Sequence, residues 1–295
     1  MVNVFTVDLE DYFHPTEVSQ GLGDWTHFAS RIDVGTNLLL DLLAKRNFKA
    51  TFFVMGWVAD TQPALVRRIA DAGHEIGCHS HKHKLVWDLT PSEFRADTLR
   101  AMASIEDACG VTPRLYRAPS YSIVAKSFWA LDILAELGFT HDSSIFPIEH
   151  DRYGIPGSPR HAYTIATPSG PILEVPVATV QLSPNRVTPV GGGGYLRLFP
   201  YRYTAAGIRK INNIERQPAC VYTHPWELDP EQPRMTKGLI SRLRTYTGIA
   251  TMGRKLERLF DEFEFSTMGE VHPVKSASRM HPARQEFSLV ASLSA

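Results

Sequence analysis

The chain has 295 residues, 43% hydrophobic and 21% charged, which suits one α/β barrel rather than a small module or a disordered chain. Lys plus Arg and Asp plus Glu are 31 each, so the net charge is zero. That argues against nucleic acid as the main partner, because phosphate binding draws on a basic excess or stripe.

Residues 4–8 read as a buried strand, 37–46 as an amphipathic helix carrying Leu38, Leu39, Leu42 and Leu43, and 50–55 as a second strand. A helix over 64–72 stops at Gly73, and 75–78 is a short third strand. Thr90-Pro91-Ser92-Glu93 is a capping box with proline at the first helical position, opening a helix to about 108, before Gly110. Residues 114–116 form a fourth strand, 127–137 a helix stopped by Gly138, and 139–141 the start of a fifth strand. Residues 172–180 read as a sixth strand, with Pro176 marking an edge or bulge; 204–212 is helical and 219–223 a seventh strand. Segment 146–203, rich in Pro and Gly, reads as an irregular insertion. Strands alternating with helices imply a parallel sheet. At this length the expectation is an α/β fold, a distorted (β/α) barrel with about seven parallel strands. The Ser-, Ala- and Arg-rich residues 274–295 read as a loosely attached tail.

Cys78, Cys109 and Cys220 are widely spaced with no CxxC, so a disulfide framework is not expected. The N-terminus has no basic n-region or apolar h-region, and no stretch approaches a membrane span of ~20 apolar residues, so a cytoplasmic location is expected.

The polar residues with chemical potential follow the strands. Asp8, Glu10 and Asp11 follow the first, His79 and His83 the third, Arg117, Pro119, Ser120 and Tyr121 the fourth, Asp142 the fifth and His224 the seventh. In α/β barrels the C-terminal ends of the strands carry the active site. His79 and His83 are four residues apart and on a helical turn would share a face, able to grip one divalent ion. The plain alternative is a surface His/Lys loop. Asp8-Leu9-Glu10-Asp11 places three carboxylates in four residues, costly unless a cation compensates. One can be a third ligand and another a free base. Three protein ligands leave a position open, which marks a catalytic rather than a structural zinc site. Arg117 follows a buried-looking Leu-Tyr; arginine is rarely buried unless paired, and Asp142 is the expected partner. His224, in Val-Tyr-Thr-His-Pro-Trp-Glu, sits at a strand mouth and can serve as an acid near neutral pH. Gly191-Gly192-Gly193-Gly194 lacks the GK[ST] ending of a phosphate loop and reads as a flexible loop. Trp25, Trp57, Trp87 and Trp226 suit either core packing or stacking on sugars.

Taken in order over about residues 4–228, these motifs resemble the polysaccharide deacetylase family (NodB-like, carbohydrate esterase family four). The resemblance implies Asp8 as base and metal ligation by His79, His83 and a carboxylate. Some members space the two N-terminal carboxylates by one residue, which favours Glu10 as ligand, with Asp11 the other possibility. Arg117-Ala118-Pro119-Ser120-Tyr121 is close to the family's Arg-x-Pro-aromatic motif with one extra residue, implying an oxyanion N–H near Ser120 or Tyr121. Asp142 matches the residue that braces the arginine, and His224 the general acid. The C-terminal third, with a helical extension from about residue 229 to 273, resembles a bacterial subgroup linked to exopolysaccharide production.

What the resemblance implies is a single deacetylase barrel with its extension over residues 1–273. It would hold a divalent metal, first of all Zn²⁺, and release acetate from an N-acetylated carbohydrate. The oligomeric state is left open. Three other readings share some of these residues: an allantoinase-like cyclic amide hydrolase, an Fe(II) site for oxygen chemistry, and a non-catalytic sugar-binding module.

Overall fold

Strand β1 (Val2–Leu9) is the axis of the fold, and every residue after Val2 is buried. Its side chains alternate between two apolar environments, as the period of two requires. Phe5, Val7 and Leu9 join Leu39, Leu42 and Val66 in the layer under the helices. Val4 packs on the other, inner face with Phe53, Leu115, Leu173 and Cys220. The same parity sends Thr6 and Asp8 inward, and both are buried.

The computed structural model describes residues 1–274 apart from 20, 21, 23, 151, 184 and 185. The tail expected over 274–295 therefore lies, but for Val274, outside the described residues. After β1 come α1 (Ile32–Ala44), β2 (Thr51–Val54), α2 (Gly56–Thr61), α3 (Pro63–Asp71), β3 (Glu75–Cys78) and α4 (Pro91–Cys109). Then follow β4 (Leu115–Tyr116), α5 (Ala130–Glu136), β5 (His141–Asp142), β6 (Tyr163–Thr167), β7 (Gly170–Glu174), β8 (Thr179–Ser183) and β9 (Arg186–Pro189). The chain continues through α6 (Gly194–Leu198), α7 (Tyr201–Asn213), β10 (Cys220–Thr223), α8 (Leu239–Tyr246), α9 (Ile249–Glu262) and β11 (Glu264–Ser266).

The main sheet runs β10-β1-β2-β3-β4-β5-β7-β6. Its neighbours pair in parallel from β10 to β7, and β6 closes the edge antiparallel to β7. The parallel run therefore has the expected seven strands. Strand β11 pairs in parallel with Val2–Val4 of β1, and just beyond it the Met268 N–H donates to Thr51 Oγ1 of β2 at 2.8 Å. Beyond β10 the chain continues the curvature without a regular strand: the Ala178 N–H donates to Cys220 O at 2.9 Å and the Tyr222 N–H to Gly191 O at 2.7 Å.

The capping box forms as read: the Thr90 hydroxyl accepts the Glu93 N–H, the Glu93 carboxylate accepts the Thr90 N–H, and α4 ends at Gly110 with φ 74°. Such a cap is worth about 1 kcal/mol. Two expectations change. The strand read over 172–180 is broken around Pro176 into β7 and β8, because proline cannot donate to a ladder. The stretch 146–203 holds two hairpins, and Gly170 at φ 134° makes the tight turn from β6 into β7.

Candidate metal centre and catalytic cleft

Glu10 lies one step beyond β1 with the inward parity of Asp8. Its Oε1 is 3.1 Å from His79 Nε2 and 3.0 Å from His83 Nε2, and all three residues are buried. The segment carrying both imidazoles is not the helical turn that their spacing suggests. Ser80 and His83 adopt φ of 58° and 52°, and the Ser80 hydroxyl accepts the His83 N–H at 3.0 Å. This tight loop turns both rings toward one oxygen. Left-handed backbone in non-glycine residues costs of order 1–3 kcal/mol and concentrates at functional sites. Ser80, His83, Ser120 and Tyr121 are four of the six such residues described.

The protonation pattern tests whether these residues suit a cation. His79 Nδ1 is 2.7 Å from the Arg117 carbonyl, which can only accept, so Nδ1 carries a proton. A neutral His79 then aims the lone pair of Nε2 at a carboxylate oxygen, a repulsive arrangement that a cation between them reverses. Orientation of a ligating imidazole by a carbonyl at its far nitrogen is the usual support for such a site. The ligand atoms of Glu10, His79 and His83 all lie within 4.8 Å of one another. Two imidazoles and a carboxylate fit a divalent first-row ion. Burial alone would raise the Glu10 pKa, but the charges of His83 and His224 beside it hold it well below the usual range.

Beside this centre, Arg117 is fully buried in the barrel interior. Its Nη1 donates to Asp8 Oδ1 at 2.7 Å and to Thr6 Oγ1 at 2.8 Å, and its guanidinium lies 4.4 Å from the Phe53 ring centroid. Burial disfavours its charge, but Asp8 more than compensates and the pKa is raised. His224 Nε2 faces Asp8 Oδ2 at 3.8 Å and Glu10 Oε1 at 3.9 Å. On its other side Nδ1 meets Glu227 Oε2 at 3.1 Å, and Trp226 stacks on the ring at 5.1 Å. Burial works against the imidazolium; Glu10, Glu227 and Asp8 outweigh it and push the pKa up to about 9.

Three sequence expectations are corrected. Asp11 does not face the metal centre. Its Oδ1 accepts the Tyr12 N–H, while its Oδ2 accepts the Ser30 hydroxyl and the Arg31 and Ile32 N–H groups, capping α1. Asp142 does not brace Arg117. In the sheet it is level with Tyr116, so Arg117 is level with Ser143, whose carbonyl and hydroxyl accept from the guanidinium. Asp142 instead faces Glu174, its register partner on β7. Tyr121 lies in the cleft wall, but its N–H already donates to Ala118 O at 3.1 Å. The Ser120 hydroxyl is engaged with Thr16.

The sequence reading passed over Arg197, Glu227 and His14. Arg197 on α6 donates through Nε to Glu227 Oε1 at 2.5 Å, through Nη1 to Thr247 O and through Nη2 to Arg244 O. Arg197, Glu227 and His224 thus form a buried chain ending at the cleft, and the Glu227 pKa is lowered to about 2 because Arg197 and His224 overcome its burial. The glycine run before α6 is pinned rather than flexible. Gly192 bridges to Tyr222, and a Cβ there would stand 1.9 Å from Tyr222 O. His14 accepts the Asp11 N–H and packs against Phe13, Trp25 and Trp57; burial lowers its pKa to about 3, leaving it neutral. Trp25 and Trp57 are therefore packing residues, whereas Trp87 and Trp226 line the cleft with Tyr153 and Tyr195. The cleft is about 920 Å³, with Asp8, Glu10, His83 and His224 among its lining residues.

Residues 31–141 match the family of polysaccharide deacetylases, and residues 143–273 match a domain of unknown function, DUF3473. The chain carries a polysaccharide deacetylase domain. A chitooligosaccharide deacetylase from Bradyrhizobium sp. (strain ANU 289) is 38% identical over 98 residues, 33% of this chain and 42% of that protein. A peptidoglycan-N-acetylglucosamine deacetylase from Bacillus cereus is 33% identical over 98 residues, 33% of this chain and 36% of that protein. The chain thus spans less than half the length of either curated relative. A structure from Mycobacterium smegmatis, named as a candidate polysaccharide deacetylase, has the same fold at a TM-score of 0.59, with 23% identity over 95% of this chain and 93% of that one. The site draws on both matched segments: His79, His83 and Arg117 lie in the first, and Arg197, His224 and Glu227 in the second. Among the described residues, no helix is long and apolar enough to cross a membrane.

Proposed function

We propose that this chain hydrolyses N-acetyl groups on a polysaccharide or oligosaccharide, using a divalent cation, first of all Zn²⁺, held by Glu10, His79 and His83. The observation that carries this reading is the meeting of that ligand set with an arginine-fixed carboxylate and a carboxylate-held histidine in one cleft. When bound, the cation supplies Lewis acidity, polarising a carbonyl oxygen and lowering the pKa of an attacking water.

The remaining chemistry belongs to the side chains. Asp8 keeps one oxygen on Arg117, which fixes its orientation, and turns the other toward the cleft, where it takes the proton of the attacking water. His224 is charged at neutral pH and supplies the proton that an amine needs to leave. Glu227 and Trp226 hold its ring in place. The aromatic walls and the size of the cleft favour a chain of sugars over a small cyclic amide. The resemblance of the C-terminal third supports a role in bacterial exopolysaccharide metabolism, and residues 1–273 are proposed to act as one unit.

Incubation with N-acetylglucosamine oligomers, O-acetylated xylan and a cyclic amide in parallel tests this reading. Acetate release from the first, with free amine appearing in equal amount, is the expected result. Turnover of the cyclic amide alone, or of none of the three by protein with metal bound, contradicts it.

A further inference from the structure

Helix α8 has its burial inverted. Leu239, Ile240 and Leu243 are 74%, 70% and 54% exposed, whereas the residue it buries is Thr245. Their spacing of one and four puts the three on one face. Leu198 and Phe199, at the end of α6, are also 44% and 41% exposed. Soluble surfaces scatter such residues singly; a contiguous run marks an interaction site. The helix is not loosely held, since Arg197 bonds the carbonyls of Arg244 and Thr247 and the Met235 N–H donates to Tyr246 Oη.

The charge around this face has one sign. Arg234, Lys237, Arg242 and Arg244 are exposed there, and the sequence has no Asp or Glu between Glu231 and Glu257, although the chain as a whole is neutral. Apolar residues flanked by cations on a short surface helix are the pattern of a segment lying in the interface of an anionic bilayer. A second copy fits less well, because the cations of each copy would then meet with no acid to pair them. The residues after Val274 do not supply that acid in quantity either, with Lys275, Arg279 and Arg284 against Glu286.

We propose that the face formed by Leu239, Ile240 and Leu243 docks on an anionic lipid bilayer. Leu198, Ser241, Arg244 and Thr245 also line the cleft, so docking sets the cleft mouth beside the lipid headgroups. The surface is argued independently of the reaction proposed above.

The test is co-sedimentation of the full chain with phosphatidylglycerol/phosphatidylcholine vesicles and with phosphatidylcholine vesicles, at low and high salt. Binding to the first, weakened by salt and weak on the second, is expected. The triple variant Leu239→Ser, Ile240→Ser, Leu243→Ser should lose it while keeping an unchanged thermal unfolding transition. The double variant Lys237→Gln, Arg242→Gln should lower partitioning, by about fivefold per basic residue removed. No pelleting with anionic vesicles, or equal pelleting of all variants, overturns the proposal. So does a dimer of the native chain in sedimentation equilibrium that the triple variant dissolves, which would assign the face to a second copy.

Discussion

Arg117 Nη1 lies 2.7 Å from Asp8 Oδ1 in a position with no solvent exposure, and the same guanidinium reaches Thr6 and Ser143. The proposed base is therefore positioned by a residue that crosses the barrel interior from β4 to β1. Removing one member of a buried, hydrogen-bonded ion pair typically costs 3–5 kcal/mol. Arg117→Met is predicted to lower unfolding stability by about that amount and to abolish turnover. Urea denaturation and acetate release check both. A variant as stable and active as the native chain would remove Arg117 from the account.

Glu10 and Asp11 are neighbours with different work. Glu10→Ala is predicted to abolish binding of Zn²⁺ by isothermal titration. Asp11→Ala should leave metal affinity unchanged and lower stability by about 2 kcal/mol, since its carboxylate satisfies four donors around the start of α1. Loss of the metal in Asp11→Ala contradicts the ligand assignment.

In the proposed reaction His224 is the proton donor, and Glu227 holds its ring through Nδ1 at 3.1 Å. His224→Ala is predicted to lower kcat about 10³-fold with metal still bound, within the range of lost acid–base catalysis. Glu227→Gln should lower kcat about 10- to 100-fold, as loss of a supporting hydrogen bond commonly does. Arg197→Lys keeps a charge but loses the forked contacts to Thr247 and Arg244, so it should fall between native and Glu227→Gln. Equal kcat in all three is the contrary result.

Asp142 and Glu174 face each other in adjacent strands, both fully buried. Burial raises Asp142 to about 6, and burial together with Asp142 raises Glu174 well above its usual range. An unfolded aspartate titrates near 3.9, so the folded state keeps a proton that the unfolded chain sheds. The resulting stability is complete below about pH 4 and is lost as the pH rises through about 6. Between those values the contribution falls by up to about 1.4 kcal/mol per pH unit. Glu174→Gln removes one of the two facing carboxyls, and its pH–stability curve should be flatter than the native one over that window. Curves of equal slope would show that the pair does not titrate this way.

The sequence carried the frame well because its signals were local: the capping box of α4, the apolar run of β1, and glycines such as Gly110. The strand ends then placed Asp8, His79, His83, Arg117 and His224 on one face, and the structure brings these together with Glu10. The misplacements follow from parity and register. Strand alternation already puts Asp8 and Glu10 on one side of β1 and Asp11 on the other, the parity that separates the two carboxylates. The partner of Arg117 depends on β4 and β5 pairing as Tyr116 with Asp142, which shifts the contact by one residue to Ser143. No local pattern reports that register. Arg197 was invisible for a related reason: it reaches Glu227 only because Gly192 and Gly193 let α6 close against Tyr222.

The central claim is that one divalent ion at Glu10, His79 and His83 switches on acetate release. The most direct test is to strip the purified chain with a chelator and titrate Zn²⁺ back while following acetate freed from N-acetylglucosamine oligomers. The account predicts no release without metal and a rise that saturates at one ion per chain, absent in His79→Ala. Release that survives chelation, or a filled site with no release, would contradict it.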